Sequence, residues 1–210
     1  MKLRSLILGI LLTSFAGVSA QTVSLPAPQV ENGPAVLGIM AQRQSTTAFD
    51  SRALADQDLA NLLWGALGQN RENGKLTAPS ARNMQEVRLF VFTENGVSEY
   101  LPHGHELKKV AEGDHRDLVA AHQDFVKSAP VSIVIVMDMD KFGGTQPRQI
   151  SMATIDAGIV CQNINVTAAG LGLASRPRGS MNSDAIKELL DLNENKIPIM
   201  NNVIGYPAAN

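Results

Sequence analysis

Pro79-Ser80-Ala81-Arg82-Asn83-Met84-Gln85-Glu86-Val87-Arg88-Leu89-Phe90-Val91-Phe92-Thr93-Glu94-Asn95-Gly96 holds three kinds of local signal in one stretch. Proline presets a turn, and Ser80 can cap a helix start whose free backbone N–H groups face electron-rich atoms. Glu86 to Thr93 is rich in β-formers, Glu94-Asn95-Gly96 supplies turn residues, and Val97 to Leu101 returns, so the spacing predicts a β-hairpin.

Outward from this hairpin the pattern alternates between helix and strand without keeping a simple alternating order. Ala35, Val36, Ile39 and Met40 make an apolar stripe on a short helix opened by Pro34 and ended by Arg43. Leu59, Leu62, Leu63, Ala66 and Leu67 recur at helical spacing, with Asp56 as the expected N-cap and Gly68 as the closing residue. A third helix is expected from Asp114, with Leu118, Val119, His122, Phe125 and Val126 on one side, ending before Pro130. Val131 to Met137 is a nearly unbroken Val/Ile run, the signature of a strand buried on both faces. The longest helix is expected over Ser151 to Leu171, followed by a helix capped at Asn182 or Ser183 running to Leu192 and a last strand over Ile197 to Gly205. This order predicts an α+β fold, a sheet with helices packed around it.

The N-terminus reads as an address. Lys2 and Arg4 precede an apolar core, Leu6 to Phe15, too short to span a bilayer, and Val18-Ser19-Ala20 fits a signal-peptidase site. The expected organisation is a signal peptide over 1–20, an extended lead-in over 21–34 that wraps a surface, and one domain over 35–210. A periplasmic or secreted location follows, with no membrane span in the mature chain. A formal net charge of −2 with mixed signs leaves no basic stripe for nucleic acid. Cys161 is the single cysteine, so no internal disulfide can form, and its apolar helical setting favours a buried structural thiol. Asn165-Val166-Thr167 matches a glycosylation pattern inside the expected long helix and reads as accidental. His103-Gly104-His105, with His115 and His122, lacks a carboxylate or cysteine cluster of ligand spacing, and no metal is expected.

Three segments carry candidate chemistry. Arg43-Gln44-Ser45 offers a guanidinium fork suited to phosphate, although the triplet alone equally describes a solvated helix end. Pro79, Ser80, Ala81 and Asn83 form the turn described above. From Gln162-Asn163-Ile164 through Gly170-Leu171-Gly172 to Arg178-Gly179, an apolar helix ends in glycines that let backbone approach a flat ring; close packing would demand the same glycines. No Gly-x-Gly-x-x-Gly follows a strand, and no phosphate loop or serine-nucleophile motif appears, so a nicotinamide-binding domain or a hydrolase is not supported.

In this order, the three segments resemble the nitroreductase-like flavin oxidoreductases, most closely their thiazole- and oxazole-forming SagB/McbC-type dehydrogenase branch. The resemblance runs from about Ala35 to Pro207. It implies a nitroreductase-like fold with a central, mostly antiparallel sheet surrounded by helices, and a dimer with a long interface helix. It further implies FMN at the interface of a homodimer and hydride transfer to or from a small-molecule substrate, with no side chain required as acid or base. By that alignment Arg43, Gln44 and Ser45 hold phosphate or ribityl oxygens, and Pro79, Ser80, Ala81 and Asn83 reach the ring from the partner chain. Gly179 offers its N–H to N5, Arg178 borders the redox edge where it could steer an anionic substrate, and Gln123 contacts the pyrimidine side. The family's Arg-Arg-Ser-x-Arg-x-Phe stretch stands here as Arg43-Gln44-Ser45-Thr46-Thr47-Ala48-Phe49, so Gln44 and Thr47 replace two arginines. Weaker phosphate binding is expected, and the alternative is a flavin-free scaffold or binding protein that retains the fold.

Overall fold

The Val/Ile run at 131–137 becomes strand β6 (Val131–Asp138), each of whose residues is buried. It is flanked on both edges by antiparallel partners, β3 (Val87–Thr93) and β8 (Lys196–Pro207). That central position explains why its sequence shows no polar alternation, since a sheet covered on both faces offers no solvated side. The computed structural model describes residues 22–26 and 36–209, so the expected signal peptide and lead-in residues 27–34 lie outside the described residues.

The remaining elements are β1 (Thr22–Ser24), α1 (Val36–Gln42), β2 (Phe49–Asp50), α2 (Asp56–Leu67), β4 (Gly96–Leu101) and β5 (Glu106–Glu112). After them come α3 (Arg116–Ala120), α4 (Phe125–Ser128), α5 (Pro147–Gly170), β7 (Ala174–Arg178) and α6 (Ser183–Leu189), with a short 3₁₀ turn at Ala81–Asn83. The sheet follows the order β1-β5-β4-β3-β6-β8-β2, with β7 also paired to β8. Every pairing between these strands is antiparallel. The α+β architecture expected from the order of elements and the antiparallel sheet implied by the resemblance are both present.

Two apolar layers cover the sheet. On one face Leu89, Val91, Ile133, Ile135 and Met137 pack against α2 and α5, and on the other Phe90, Phe92, Val134 and Val136 meet Val119 and Ile186. The alternation of these residues along β3 and β6 is the period-two pleat sending neighbours to opposite faces. On α5, Ala153, Asp156, Ala157, Val160, Cys161, Ile164, Asn165 and Ala168 are buried, the i, i+3, i+4, i+7 stripe of a helix with one covered face. Gly65 of α2 lies against Thr167, and Asn163 Nδ2 donates to Ala66 O at 3.2 Å, so the two helices cross closely where a side chain on residue 65 would collide.

Several boundaries differ from expectation for local reasons. Helix α2 is preceded by Ala55 in extended conformation, and Asp56 and Asp58 sit in its first turn, where their charge faces the helix N-terminus. Asp58 also accepts the Tyr206 hydroxyl at 2.6 Å. Helix α5 begins at Pro147, four residues before Ser151, because Gln146 and Gln149 form a reciprocal capping box ahead of it. The single helix expected from Asp114 is two short ones, broken at Ala121 with φ 52°. Asn182 does cap α6, accepting Ala185 N–H at 3.3 Å, but the helix stops at Leu189 before a positive-φ Asp191. The described part of the lead-in is extended, with Thr22–Ser24 paired to β5.

Candidate functional site

The end of α1 meets the start of β7. Arg43 N–H closes the helix on Ile39 O, the next residues leave it extended, and Ser45 forms a parallel bridge with Ser175, with Thr46 N–H donating to Ser175 O at 3.3 Å. Two of the three sequence segments are therefore brought together. Arg43 is half-buried, and its guanidinium has no hydrogen-bond or ion-pair partner among the described residues. Gln44 and Thr46 line a cleft with Ala169, Gly172, Leu173 and Ser175, so Gln44 points to the cleft beside the α5 C-terminus.

Beneath this junction lies a buried polar network. Asn165 Oδ1 accepts from Ser175 Oγ at 3.0 Å and from Asn202 Nδ2 at 3.1 Å, while Asn165 Nδ2 donates to Cys161 O at 2.8 Å. The Cys161 thiol donates to Asn202 Oδ1 at 3.2 Å. Cys161 is thus the buried structural thiol expected, and burial pushes its pKa up. Asn165 is buried with its amide spent, which takes the glycosylation pattern out of use. With every member paired, the network fixes α5, β7 and β8 in one register, as a satisfied buried network does.

Arg178, at the other end of β7, lies where its four hydrogen bonds hold the framework. Nε donates to Gln123 Oε1 at 2.9 Å, one terminal nitrogen to Val119 O and Asn201 Oδ1 at 3.0 Å each, and the other to Ala120 O at 3.2 Å. Gln123 and Arg178, expected separately at the pyrimidine side and the redox edge of the ring, bond to each other, and a buried guanidinium with these bonds is not presented to an anionic substrate. That corrects the steering role expected for Arg178. The following residue, Gly179, is exposed, its N–H has no backbone acceptor among the described residues, and nothing lies within 4 Å of where a Cβ would stand. Ser175 and Gly179 are four residues apart on an extended path, roughly 13 Å at the rise of a strand.

The third segment occupies another level of the molecule. Ala81 N–H donates to Asp156 Oδ2 at 2.7 Å, and Ser80 Oγ accepts Gln85 N–H at 2.8 Å. Arg82, Asn83 and Gln85 all take positive φ, at 55°, 56° and 51°. Pro79, Arg82 and Asn83 are exposed. Asp156 and Asn165 are nine residues apart on α5, roughly 13 Å along the helix axis. Within one chain the Pro79–Asn83 turn and the Arg43/Ser175 junction are thus held at different heights on the same helix.

Sequence reasoning missed the buried polar residues Glu86, Asn201 and Asn202 and the anchoring role of Asp156. A signal existed for Asp156, an acid at a position that the helical period assigns to the covered face. The histidines serve locally: His105 lies between the Tyr100 hydroxyl at 2.8 Å and Pro26 O at 3.0 Å, and His103 meets Gln69 Oε1 at 2.8 Å. Among the described residues no group of three or more His, Cys, Asp or Glu could hold a metal ion. Of the expected Gln162–Asn163 pair, Gln162 is exposed and Asn163 bonds α2.

Comparison with known proteins agrees with this geometry. A provisionally named nitroreductase of Methanocaldococcus jannaschii is 26% identical over 192 residues, 85% of this chain and 95% of the relative. The crystal structure of another provisionally named nitroreductase, from Ralstonia eutropha JMP134, superposes with a TM-score of 0.84 at 30% identity, covering 97% of this chain and 98% of that one. A chain of the Escherichia coli microcin synthetase McbBCD complex shares the fold, with a TM-score of 0.72 at 17% identity over 80% of this chain and 70% of that chain. The nitroreductase family model matches residues 40–206, and this chain belongs to the nitroreductase family.

Proposed function

We propose that this protein is an exported, homodimeric, FMN-dependent oxidoreductase acting on a small organic substrate. FMN is the cofactor typical of the family, and when bound it supplies the hydride chemistry. The observation that carries the reading is the pair of unspent donors at the two ends of β7. The guanidinium of Arg43, without a partner among the described residues, stands at one end and Gly179, whose N–H has no backbone acceptor among them, at the other, a separation suited to a ligand with an anionic tail and a flat ring.

The residues present fit that group in three further respects. Arg43 gives a cation whose fork matches phosphate, and Ser45 adds a hydroxyl beside it. The Asn165 network and the Arg178 bonds hold β7 rigid, so the Gly179 N–H is pre-oriented. The Pro79–Asn83 turn, exposed on its own chain, is offered to a second copy, and Ser80, Ala81 and Asn83 would meet the ring there. Exposed apolar side chains near the N-terminal end of α5, Met152 and Ile155, supply a face for that second copy. Export rests on the N-terminal pattern at 1–20. Membership of the thiazole- and oxazole-forming branch rests on the motif likeness and would make the substrate a heterocycle within a modified peptide.

The flavin-free reading has one observation in its favour. Gln44 and Thr47 stand where the family carries arginines, and Arg178 is committed internally, so Arg43 alone among these positions offers a free cation. An absorbance spectrum of the mature protein before and after FMN titration separates the two. Flavin bands that travel with the protein through gel filtration, and an affinity lowered about tenfold in Arg43→Ala, the scale of one charge-assisted hydrogen bond, support the enzyme. A protein that stays colourless in excess FMN is the scaffold.

A further inference from the structure

Glu86 follows directly on the Pro79–Gln85 turn and is fully buried, yet no other described residue donates a hydrogen bond to either carboxyl oxygen. The side chain it interacts with is another acid, Asp156, itself buried on α5. Two ionised carboxylates in contact away from water would repel strongly and leave oxygens unsatisfied, a condition native interiors avoid. A single proton resolves both faults, since a protonated Glu86 donates to Asp156 and the pair then carries one charge. Asp156 is the acid whose Oδ2 holds Ala81 N–H, so whatever fixes this carboxylate also fixes the turn.

We infer that Glu86 and Asp156 hold one proton between them and that this shared proton keeps the Pro79–Gln85 turn seated on α5, making Glu86 a positioning residue for the flavin site. The inference rests on the proposed function only in its last clause. Burial pushes the Glu86 carboxyl up to about 7, with Asp156 adding to the rise and the residue's own backbone N–H and Lys141 opposing it. Lys141 caps the pair from the loop after β6, its Nζ donating to Gln85 O. Asp138 on β6 donates its backbone N–H to Glu86 O at 2.9 Å and directs its carboxylate toward Arg88 and Lys196. Loss of the proton to solvent leaves two carboxylates face to face. The three positive-φ residues of the turn then lose the anchor that keeps them in their strained conformation.

The sign of the pH effect follows from linkage. The folded state keeps a proton that the unfolded chain releases near its ordinary value of 4.5, so this contribution to stability is complete below about 4.5 and declines as pH rises to about 7. His105, whose pKa burial lowers, acts in the opposite sense over part of that window, and the comparison with a variant isolates Glu86. Glu86→Gln keeps the size, stays neutral and can donate to Asp156.

The test uses the full mature chain. Carboxyl ¹³C NMR without flavin should show one glutamate titrating near neutral pH, a resonance that Glu86→Gln removes. The melting temperature of the wild type should fall from pH 5 to pH 7.5 relative to Glu86→Gln, and wild-type affinity for FMN should weaken several-fold from pH 6 to pH 8 while that of the variant holds. A Glu86 carboxyl titrating near 4.5, or an equal slope of stability with pH in both proteins, overturns the shared proton. Equal wild-type FMN affinity at both pH values overturns the positioning role. If the carboxyl titrates as expected and FMN binds at neither pH, the acid pair stands and the flavin reading fails.

Discussion

Arg178 is a measure of what one buried side chain can hold. Its guanidinium ties β7 to α3, to Gln123 and to β8 through Asn201, so truncation leaves two carbonyls, two amide oxygens and a cavity without partners. Arg178→Ala should destabilise the protein by about 3 kcal/mol in urea unfolding, the scale of breaking a buried charged network. Arg178→Lys should recover little of this, because an ammonium cannot reproduce a planar fork. A loss under about 1 kcal/mol for Arg178→Ala would show that the network is not a framework. At this scale the sequence is only half legible. Types and order of residues marked Arg43, Gln123, Arg178 and Gly179, but whether a guanidinium points at a ligand or into the protein depends on neighbours tens of residues away. Asn201, twenty-three positions from Arg178, decides it.

Among elements, legibility followed the strength of the hydrophobic period. Helices α2 and α5, the β3–β4 hairpin, β6 and β8 carry long apolar patterns and lie where the spacing put them. Strand β5 was not expected because Glu106-Leu107-Lys108-Lys109-Val110-Ala111-Glu112 is half-buried near the sheet edge, where only β1 covers it and charges are tolerated. Strands β2 and β7 are short and exist through pairing to β8, a tertiary cause invisible in local propensity. The break between α3 and α4 had no sequence mark, since Ala121 is a good helix former held at φ 52°, ψ −107° by its surroundings. Glycine adopts that conformation without a Cβ penalty, so Ala121→Gly should stabilise the protein by about 0.5–1 kcal/mol despite lowering helix propensity. Thermal unfolding of the pair decides this, and a destabilised variant would mean that the Ala121 methyl contributes more by packing than the backbone loses by strain. On α2, Leu63 is fully buried against the sheet face shared with α5, and Leu63→Ala should lose about 3 kcal/mol.

Among the described residues, the N-terminal half of α5 leaves apolar side chains uncovered where the proposed chemistry needs a partner. Near the N-terminal end of α5, Ile155 is exposed at 56% and Met152 at 37%, and Gly158 has open space where a Cβ would be, while α1, which packs by Ile39 against Gly170 at the other end of α5, exposes Val36 and Met40 separately. A second copy seated over Met152 and Ile155 would take them out of water, and burial of each is worth roughly 1.5–3 kcal/mol. The same helix carries the Pro79–Gln85 turn at Asp156, one residue from Ile155, so a copy docked on this face would bring its turn to the neighbour. Ile155→Asp tests the surface, because Ile155 is 56% exposed in its own chain. The expected result is a monomer by sedimentation velocity whose helix content by circular dichroism matches the wild type. FMN affinity should fall at least tenfold in that variant, since half of the proposed ring contacts come from the second chain. A variant that stays dimeric places the interface elsewhere, and a monomer that binds FMN as tightly as the parent confines the site to one chain.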